Sequence, residues 1–108
     1  MKQKIQMYNE PRYLLNAFSL GMINKFPARI KATEVTRDEV FNYEGGLISA
    51  IGHADTANVL GVECNRISVT LFKRCTAYVA QLQGGRLTEG TKELPEGFSF
   101  TFLKVEVY

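Results

Sequence analysis

Residues 98–108, FSFTFLKVEVY, decide the fold class, because a run so rich in Phe and Val predicts a β-strand. The alternation of apolar and polar side chains slips between Phe102 and Leu103, which predicts either a bulge or a strand buried on both faces. Residues 76–83 and 66–72 alternate as well, and the short polar connection between these two runs predicts a β-hairpin. The three runs indicate a protein built around a β-sheet.

Shorter elements surround these strands in the sequence. TRDE at residues 36–39 matches a helix capping box, although the run after it is too short and too aromatic to fix a helix. The other predicted elements are strands at 13–18 and 29–35, and helices at 20–25 with Ser19 as N-cap, at 47–51, and from Asp55 or Thr56 to about residue 62. The sequence therefore predicts one α/β domain over residues 1–108, with a mixed sheet of about five strands flanked by short helices and residues 1–12 as a loose lead-in.

Composition excludes several classes of protein. A chain of 108 residues with 45% hydrophobic and 22% charged residues fits one globular domain. Its net charge of +2 is too weak for a non-specific duplex-binding protein, so no duplex nucleic acid is expected as a partner. The polar start and the lack of a long apolar run predict no signal peptide and no membrane contact, and hence a cytoplasmic location. Cys64 and Cys75 lack zinc-ligand spacing, and both are expected to be buried free thiols.

The single histidine, His53, is the first candidate for chemistry. Histidine is the side chain whose protonation changes near neutral pH, so it serves readily as a general acid or base. His53 lies between two predicted helices, at a helix end where backbone donors are free, and Gly52 before it allows another group to approach closely. The alternative is a capping or surface histidine without a chemical role, and the sequence alone leaves both interpretations open.

A second group of polar residues lies around the end of the predicted strand 76–83. Gln81, Arg86 and Glu89 place an amide, a guanidinium and a carboxylate on either side of a Gly-Gly pair. Arginine binds phosphate oxygens in a fork, and glutamine hydrogen-bonds base or ribose edges, so a strand end followed by a Gly-rich turn can present these groups in one cleft. The alternative is that these residues only follow the end of a strand, with their charged side chains forming an ion pair in solvent.

Further polar residues lie on or beside predicted elements. Asn16 and Ser19 flank a strand-to-helix turn, and helix N-termini favour anions. Arg66 lies on the polar face of its predicted strand, where a solvated sheet face explains it equally well.

Metal-binding and phosphate-binding motifs are missing from the sequence. It has no P-loop, no HExxH motif and no cluster of carboxylates and histidines suited to two metals. If the protein cleaves a phosphodiester, the sequence favours a metal-independent reaction. In such a reaction the 2′-hydroxyl of RNA attacks in line, and the protein neutralises the phosphate and protonates the departing 5′-oxygen.

An ordered set of motifs resembles the viral ring nucleases, small type III anti-CRISPR proteins of archaeal viruses, phages and bacterial mobile elements. The motifs are LNAFS at 15–19 with MI at 22–23 and FP at 26–27, IGH at 51–53 with DT at 55–56, NR at 65–66, and YVAQ at 78–81 with RLTEG at 86–90. The resemblance implies a homodimer that binds cyclic tetra-adenylate. It also implies that the ring is cut, with no metal or other cofactor, to linear products ending in a 2′,3′-cyclic phosphate.

The resemblance also implies roles for individual residues. His53 corresponds to the general acid, and Glu89 to a carboxylate that supports the active site. The phosphate-contacting arginines correspond to Arg86 and Arg66, and the residues that position the ligand correspond to Asn16, Ser19 and Gln81. Because a ring of identical nucleotides has a two-fold axis, an isologous dimer would present the same histidine to opposite phosphates. The alternative is a non-catalytic cyclic-nucleotide binder, or a regulator of a mobile element that acts on a protein partner.

Overall fold

The computed structural model describes residues 10–108 as one mixed sheet with short helices packed on it. In chain order its elements are β1 (Arg12–Leu15), a 3₁₀ turn (Leu20–Met22), β2 (Ile30–Val35), α1 (Arg37–Phe41), β3 (Leu47–Ser49), α2 (Ala54–Leu60), β4 (Thr76–Gln83) and β5 (Ser99–Val107). The sheet has five strands in the order β2-β5-β4-β1-β3, which confirms the predicted α/β class. Most of the predicted lead-in, residues 1–12, lies outside the described residues, and Arg12 already belongs to β1. None of the helices in residues 10–108 is long and apolar enough to cross a membrane.

The half of the sheet formed by β2, β5 and β4 is antiparallel and regular. β5 pairs with the whole length of β4 and the whole length of β2, without an interruption in register. Phe102 belongs to a core cluster on one side of the sheet, and Leu103 packs against a second cluster on the other side. The slip in alternation at these two residues therefore reflects burial of both faces, and the bulge alternative is wrong.

The other half of the sheet, formed by β4, β1 and β3, is parallel. Leu14 and Leu15 are almost completely buried, because β1 lies between two neighbours and has a core cluster on each face. Strand β3 shows that the helix predicted at 47–51 is wrong. That stretch is too short for its periodicity to separate a buried strand from a helix, and parallel pairing with β1 decides its structure.

Two more predictions outside the regular strands are wrong. Residues 66–72 form no strand, because both edges of β4 are occupied by β5 and β1 and a hairpin partner has no free edge to join. Only Leu71 in that run makes a single β-bridge. The helix predicted at 20–25 is reduced to the 3₁₀ turn, although its N-cap is Ser19 as predicted, with the Gly21 N–H donating to Ser19 Oγ at 3.1 Å.

Core residues lie on both sides of the sheet. On one side α1 contributes Val40 and α2 contributes Leu60 to a cluster that covers the sheet. On the other side the chain covers the sheet with irregular segments, which include Val69, instead of α-helices. Cys75 packs against this second cluster, whereas Cys64 is exposed, so the prediction of two buried thiols is wrong for Cys64.

Candidate functional site

Three parallel strands end at one edge of the sheet, and polar residues follow each of them. Asn16 follows β1, Gly52 and His53 lie between β3 and α2, and Arg86 follows β4. Because the three strands run parallel, their carboxyl ends meet at the same edge. This edge is the usual position of ligands in α/β sheets. The sequence does not predict this shared edge, because residues 47–51 predict a helix where β3 lies.

An open pocket of about 450 Å³ lies at this edge. Its polar lining includes Asn16, His53 and Arg86, and its apolar lining includes Leu82 and Leu87. The polar side chains belong to residues that are exposed, so a ligand can reach them from solvent. An amide, an imidazole and a guanidinium beside an apolar wall suit a ligand that carries both an anionic group and a ring.

His53 is the N-cap of α2, a position that the sequence predicts for Asp55 or Thr56. The Thr56 N–H donates to His53 Nδ1 at 3.4 Å, and the Thr56 hydroxyl lies 3.3 Å from the same nitrogen. A ring nitrogen that accepts a hydrogen bond carries no proton, so the neutral ring then has its proton on Nε2. When the ring is protonated, Nδ1 is a donor, and Thr56 Oγ1 is the acceptor within reach. The cap therefore offers the imidazole a partner in both protonation states.

Arg66 reaches the same region although it does not lie on a strand. Its Nε–H donates to the Gly52 carbonyl at 2.8 Å, one residue before His53. A Cβ at position 52 would lie 3.3 Å from Arg66 Cγ, so this arginine makes the close approach that Gly52 allows. The side-chain amide of Asn65 donates to the Ser49 carbonyl at 2.8 Å and fixes this segment against the end of β3.

Glu89 lies on a tight turn that packs against α2. The turn is closed by the Thr91 N–H, which donates to the Thr88 carbonyl at 3.2 Å, and Glu89 is its second residue. Gly90, the third residue, has a φ of 86°, as a type II turn requires. Asp55 Oδ1 accepts a hydrogen bond from the Gly90 N–H at 2.9 Å. Sequence analysis missed this contact, which joins residues far apart in the chain.

Four of the predicted site residues do not line this pocket, namely Ser19, Arg66, Gln81 and Glu89. Gln81 lies in a separate groove of about 280 Å³, which Asn16 also lines. Ser19 caps the 3₁₀ turn beyond β1. Conversely, Thr56 lines the His53 pocket and was not predicted as a site residue. Thr56 is the third residue after the N-cap His53, and the residue at that position commonly donates its N–H to the cap side chain.

The titratable groups with shifted pKa values lie at the opposite end of β4. Burial raises the pKa of the Cys75 thiol, and the hydrogen bond that the Tyr108 hydroxyl donates to Glu106 raises the pKa of Tyr108. Cys75 precedes β4 and pairs with the end of β5, whereas the pocket lies beyond the other end of β4. Among residues 10–108, no three His, Cys, Asp or Glu side chains lie close enough to bind a metal ion.

Comparisons with known proteins agree with this architecture. The model of the STIV B116-like family matches residues 12–98, a range that includes the whole of the edge described above. Among solved structures, B116 of Sulfolobus turreted icosahedral virus (STIV) is similar, with a TM-score of 0.70 and 25% sequence identity. The match covers 89% of this chain and 98% of that chain. No curated protein sequence matches.

Proposed function

The chain belongs to the STIV B116-like family, and we propose that it is a metal-independent ring nuclease that cleaves cyclic tetra-adenylate. Cleavage of this second messenger would counter type III CRISPR signalling. The observation that most supports the proposal is the open pocket in which His53, Arg86 and Asn16 converge at the carboxyl edge of the parallel strands. A phosphodiester in this pocket would meet a proton donor and a phosphate-binding cation together.

The proposed reaction is an in-line displacement at phosphorus. The ribose 2′-oxygen attacks the adjacent phosphorus and releases its proton to water, while the bond from phosphorus to the 5′-oxygen breaks. His53 gives a proton to the departing 5′-oxygen, and the product ends in a 2′,3′-cyclic phosphate. Arg86 and Arg66 neutralise the charge that develops on the phosphate oxygens. Glu89 supplies the supporting carboxylate, from the turn that follows Arg86.

As a general acid, His53 would exchange the hydrogen bond that Nδ1 accepts from the Thr56 N–H for one that Nδ1–H donates to the Thr56 hydroxyl. In the protonated ring, Nδ1–H donates to Thr56 Oγ1, which lies 3.3 Å away, and Nε2–H remains for the substrate. Just after the proton has left Nε2, Nδ1–H still donates to Thr56 Oγ1; the hydrogen bond from the Thr56 N–H to Nδ1 forms again once the ring exchanges that proton with water and is protonated on Nε2. The imidazole therefore need not rotate during the transfer, which keeps the donor in the geometry that the attack requires.

A homodimer would match the two-fold axis of the ring. A volume of about 450 Å³ accommodates one nucleotide better than a ring of four. Because the ring has a two-fold axis, two copies of the chain related by an isologous axis would each bind half of it. Each copy would then present one His53 to one of two opposite phosphates. Asn16 from the pocket lining, and Ser19 and Gln81 from outside it, would position the nucleotides on either side of the cut.

Incubation of the purified protein with cyclic tetra-adenylate, followed by chromatography of the products, tests this proposal. We expect linear products with a 2′,3′-cyclic phosphate, at the same rate in EDTA and in magnesium. We expect His53→Ala to bind the ring but to lose most of the cleavage, since a positioned general acid contributes roughly 10²–10⁴ in rate.

Three other outcomes would contradict the proposal. Binding of the intact ring without cleavage, in EDTA and in magnesium, would make the protein a non-catalytic binder. A wild-type protein that binds no cyclic adenylate would indicate a regulator that acts on a protein partner. Loss of turnover in EDTA would contradict the metal-independent mechanism.

A further inference from the structure

We propose that Asp55 is a positioning residue, which holds the turn of Glu89 beside the helix that His53 caps. The inference rests on the proposed function, because it concerns the same site. The start of α2 would then have two roles: it carries the general acid, and it holds in place the loop that contains Arg86 and Glu89.

The hydrogen bond made by Asp55 acts directly on the peptide unit of Glu89. Asp55 Oδ1 accepts from the Gly90 N–H at 2.9 Å. Because a peptide unit is planar, this N–H and the carbonyl carbon of Glu89 move as one rigid body. The turn that contains them is closed by the Thr91 N–H, by the Thr91 hydroxyl, which donates to the Thr88 carbonyl at 2.5 Å, and by a 3.0 Å contact between the two threonine hydroxyls. A carboxylate that holds Gly90 therefore positions the whole turn.

A second hydrogen bond from α2 reaches the next residue of the loop. The Asn58 side-chain amide donates to the Thr91 carbonyl at 3.0 Å. Residues three apart on a helix share a face, so Asp55 and Asn58 hold consecutive loop residues from one side of α2. His53 lies two residues before Asp55, at the start of the same helix. The distance between the imidazole and the loop is thus determined by a single short rigid element.

The two ends of the loop lie together beside the paired ends of β4 and β5, where a Cβ at position 84 would lie 2.9 Å from the Gly97 carbonyl oxygen, so its middle needs contacts of its own. Gly84, Gly85 and Gly97 all have positive φ values, of 117°, 129° and 87°. Glycine loses more backbone freedom on ordering than other residues do, so contacts within the loop must compensate for that cost. The hydrogen bonds from Asp55 and Asn58 join the middle of the loop to the helix that also carries His53.

Replacement of Asp55 by Ala and by Asn, with Asp38→Ala as the matched control, tests the inference. Asp38 is the second residue of α1, as Asp55 is of α2, so each alanine variant removes a carboxylate from the same position in a helix first turn. Asn keeps an oxygen that accepts from the Gly90 N–H but removes the charge. All three variants are compared with wild type in thermal stability, in cleavage and in the hydrogen exchange of the Gly90 amide.

We expect Asp55→Ala to lower kcat by about 10- to 100-fold, because misplacement of a positioned group by about 1 Å costs up to about 10²-fold in rate. Exchange of the Gly90 amide should accelerate in the same variant. Asp55→Asn should retain most of the cleavage and protection, and Asp38→Ala should match the wild type in both. KM should change less than kcat in Asp55→Ala, because the pocket lining remains.

Two results would overturn the inference. One is a Gly90 amide that exchanges equally fast in the wild type and in Asp55→Ala, and the other is an Asp55→Asn variant as slow as Asp55→Ala. Failure of the proposed function is distinguishable, because amide exchange needs no substrate. A wild-type protein without cleavage would remove the ring-nuclease proposal, and the exchange data would then decide alone whether Asp55 holds the loop.

Discussion

The two α-helices described in residues 10–108 begin in nearly the same way, but only one of their two N-cap side chains lies in the candidate pocket. In α1 the cap is Thr36, whose Oγ1 accepts from the Glu39 N–H at 3.1 Å. In α2 the cap is His53, whose Nδ1 accepts from the Thr56 N–H at the longer distance of 3.4 Å. Threonine is a preferred N-cap, and histidine is not.

This difference indicates what each start contributes. At α1 the N-cap is Thr36, a preferred residue type at this position, and its side chain does not line the pocket. At α2 the weaker cap, His53, places an exposed imidazole in the pocket lining. A departure from the usual residue preference at a helix N-cap is expected at a functional site. Changes at the start of α2 should therefore separate activity from stability, whereas changes at the start of α1 should affect stability alone.

The largest effect is expected from His53→Ser. Serine is a better cap than histidine, so the free energy of unfolding should rise by about 0.5 kcal/mol. Cleavage should fall by about 10²–10⁴, because the hydroxyl is no general acid at neutral pH. Chemical denaturation and single-turnover cleavage measure the two effects on the same preparation. A serine variant with wild-type cleavage would show that the imidazole only caps the helix.

The next largest effect is expected at the other end of α2. Gly61 follows the helix with a φ of 76°, whereas Asn42 follows α1 with a φ of −99°. Gly61→Ala should lower the free energy of unfolding by about 1–2 kcal/mol, because an alanine in the left-handed region is strained. Asn42→Ala is the matched control and should cost less than about 0.5 kcal/mol. Equal costs in urea unfolding would show that the positive φ of Gly61 is not retained in solution.

The smallest effect is expected from Thr36→Ala. Loss of the hydrogen bond from the Glu39 N–H should lower the free energy of unfolding by about 1 kcal/mol. Cleavage under conditions where the variant is folded should remain that of the wild type. A fall in cleavage without unfolding would show that the two helix starts are coupled, and the contrast between them would then be lost.

The sequence predicts the sheet well where side-chain alternation is long. The run at 76–83 forms β4, where eight alternating residues show a period of two, and the Phe- and Val-rich run at 98–108 contains the nine residues of β5. The run at 66–72 alternates too, yet it forms no strand, because the sheet offers it no free edge. Strand β3 has only three residues, and no periodicity can identify so short a strand.

Three of the seven residues that the sequence predicts for the site line the candidate pocket, but the sequence does not predict the geometry that brings them together. His53, Arg86 and Asn16 were singled out as polar residues at element ends, and the structure places all three around one pocket. The reason they meet is the parallel pairing of β1 with β3 and β4, which depends on tertiary contacts. The bond from Asp55 to the Gly90 N–H depends on a loop without periodicity, so no local pattern predicts it.

Cleavage of a ring whose bridging 5′-oxygen is replaced by sulfur measures most directly whether His53 donates the proton. A thiolate leaves without protonation, because thiols are far more acidic than alcohols. If His53 is the general acid, His53→Ala should cleave the sulfur analogue at nearly the wild-type rate while it remains about 10²–10⁴ slower on the natural ring. A variant equally impaired on both rings would contradict proton donation by His53.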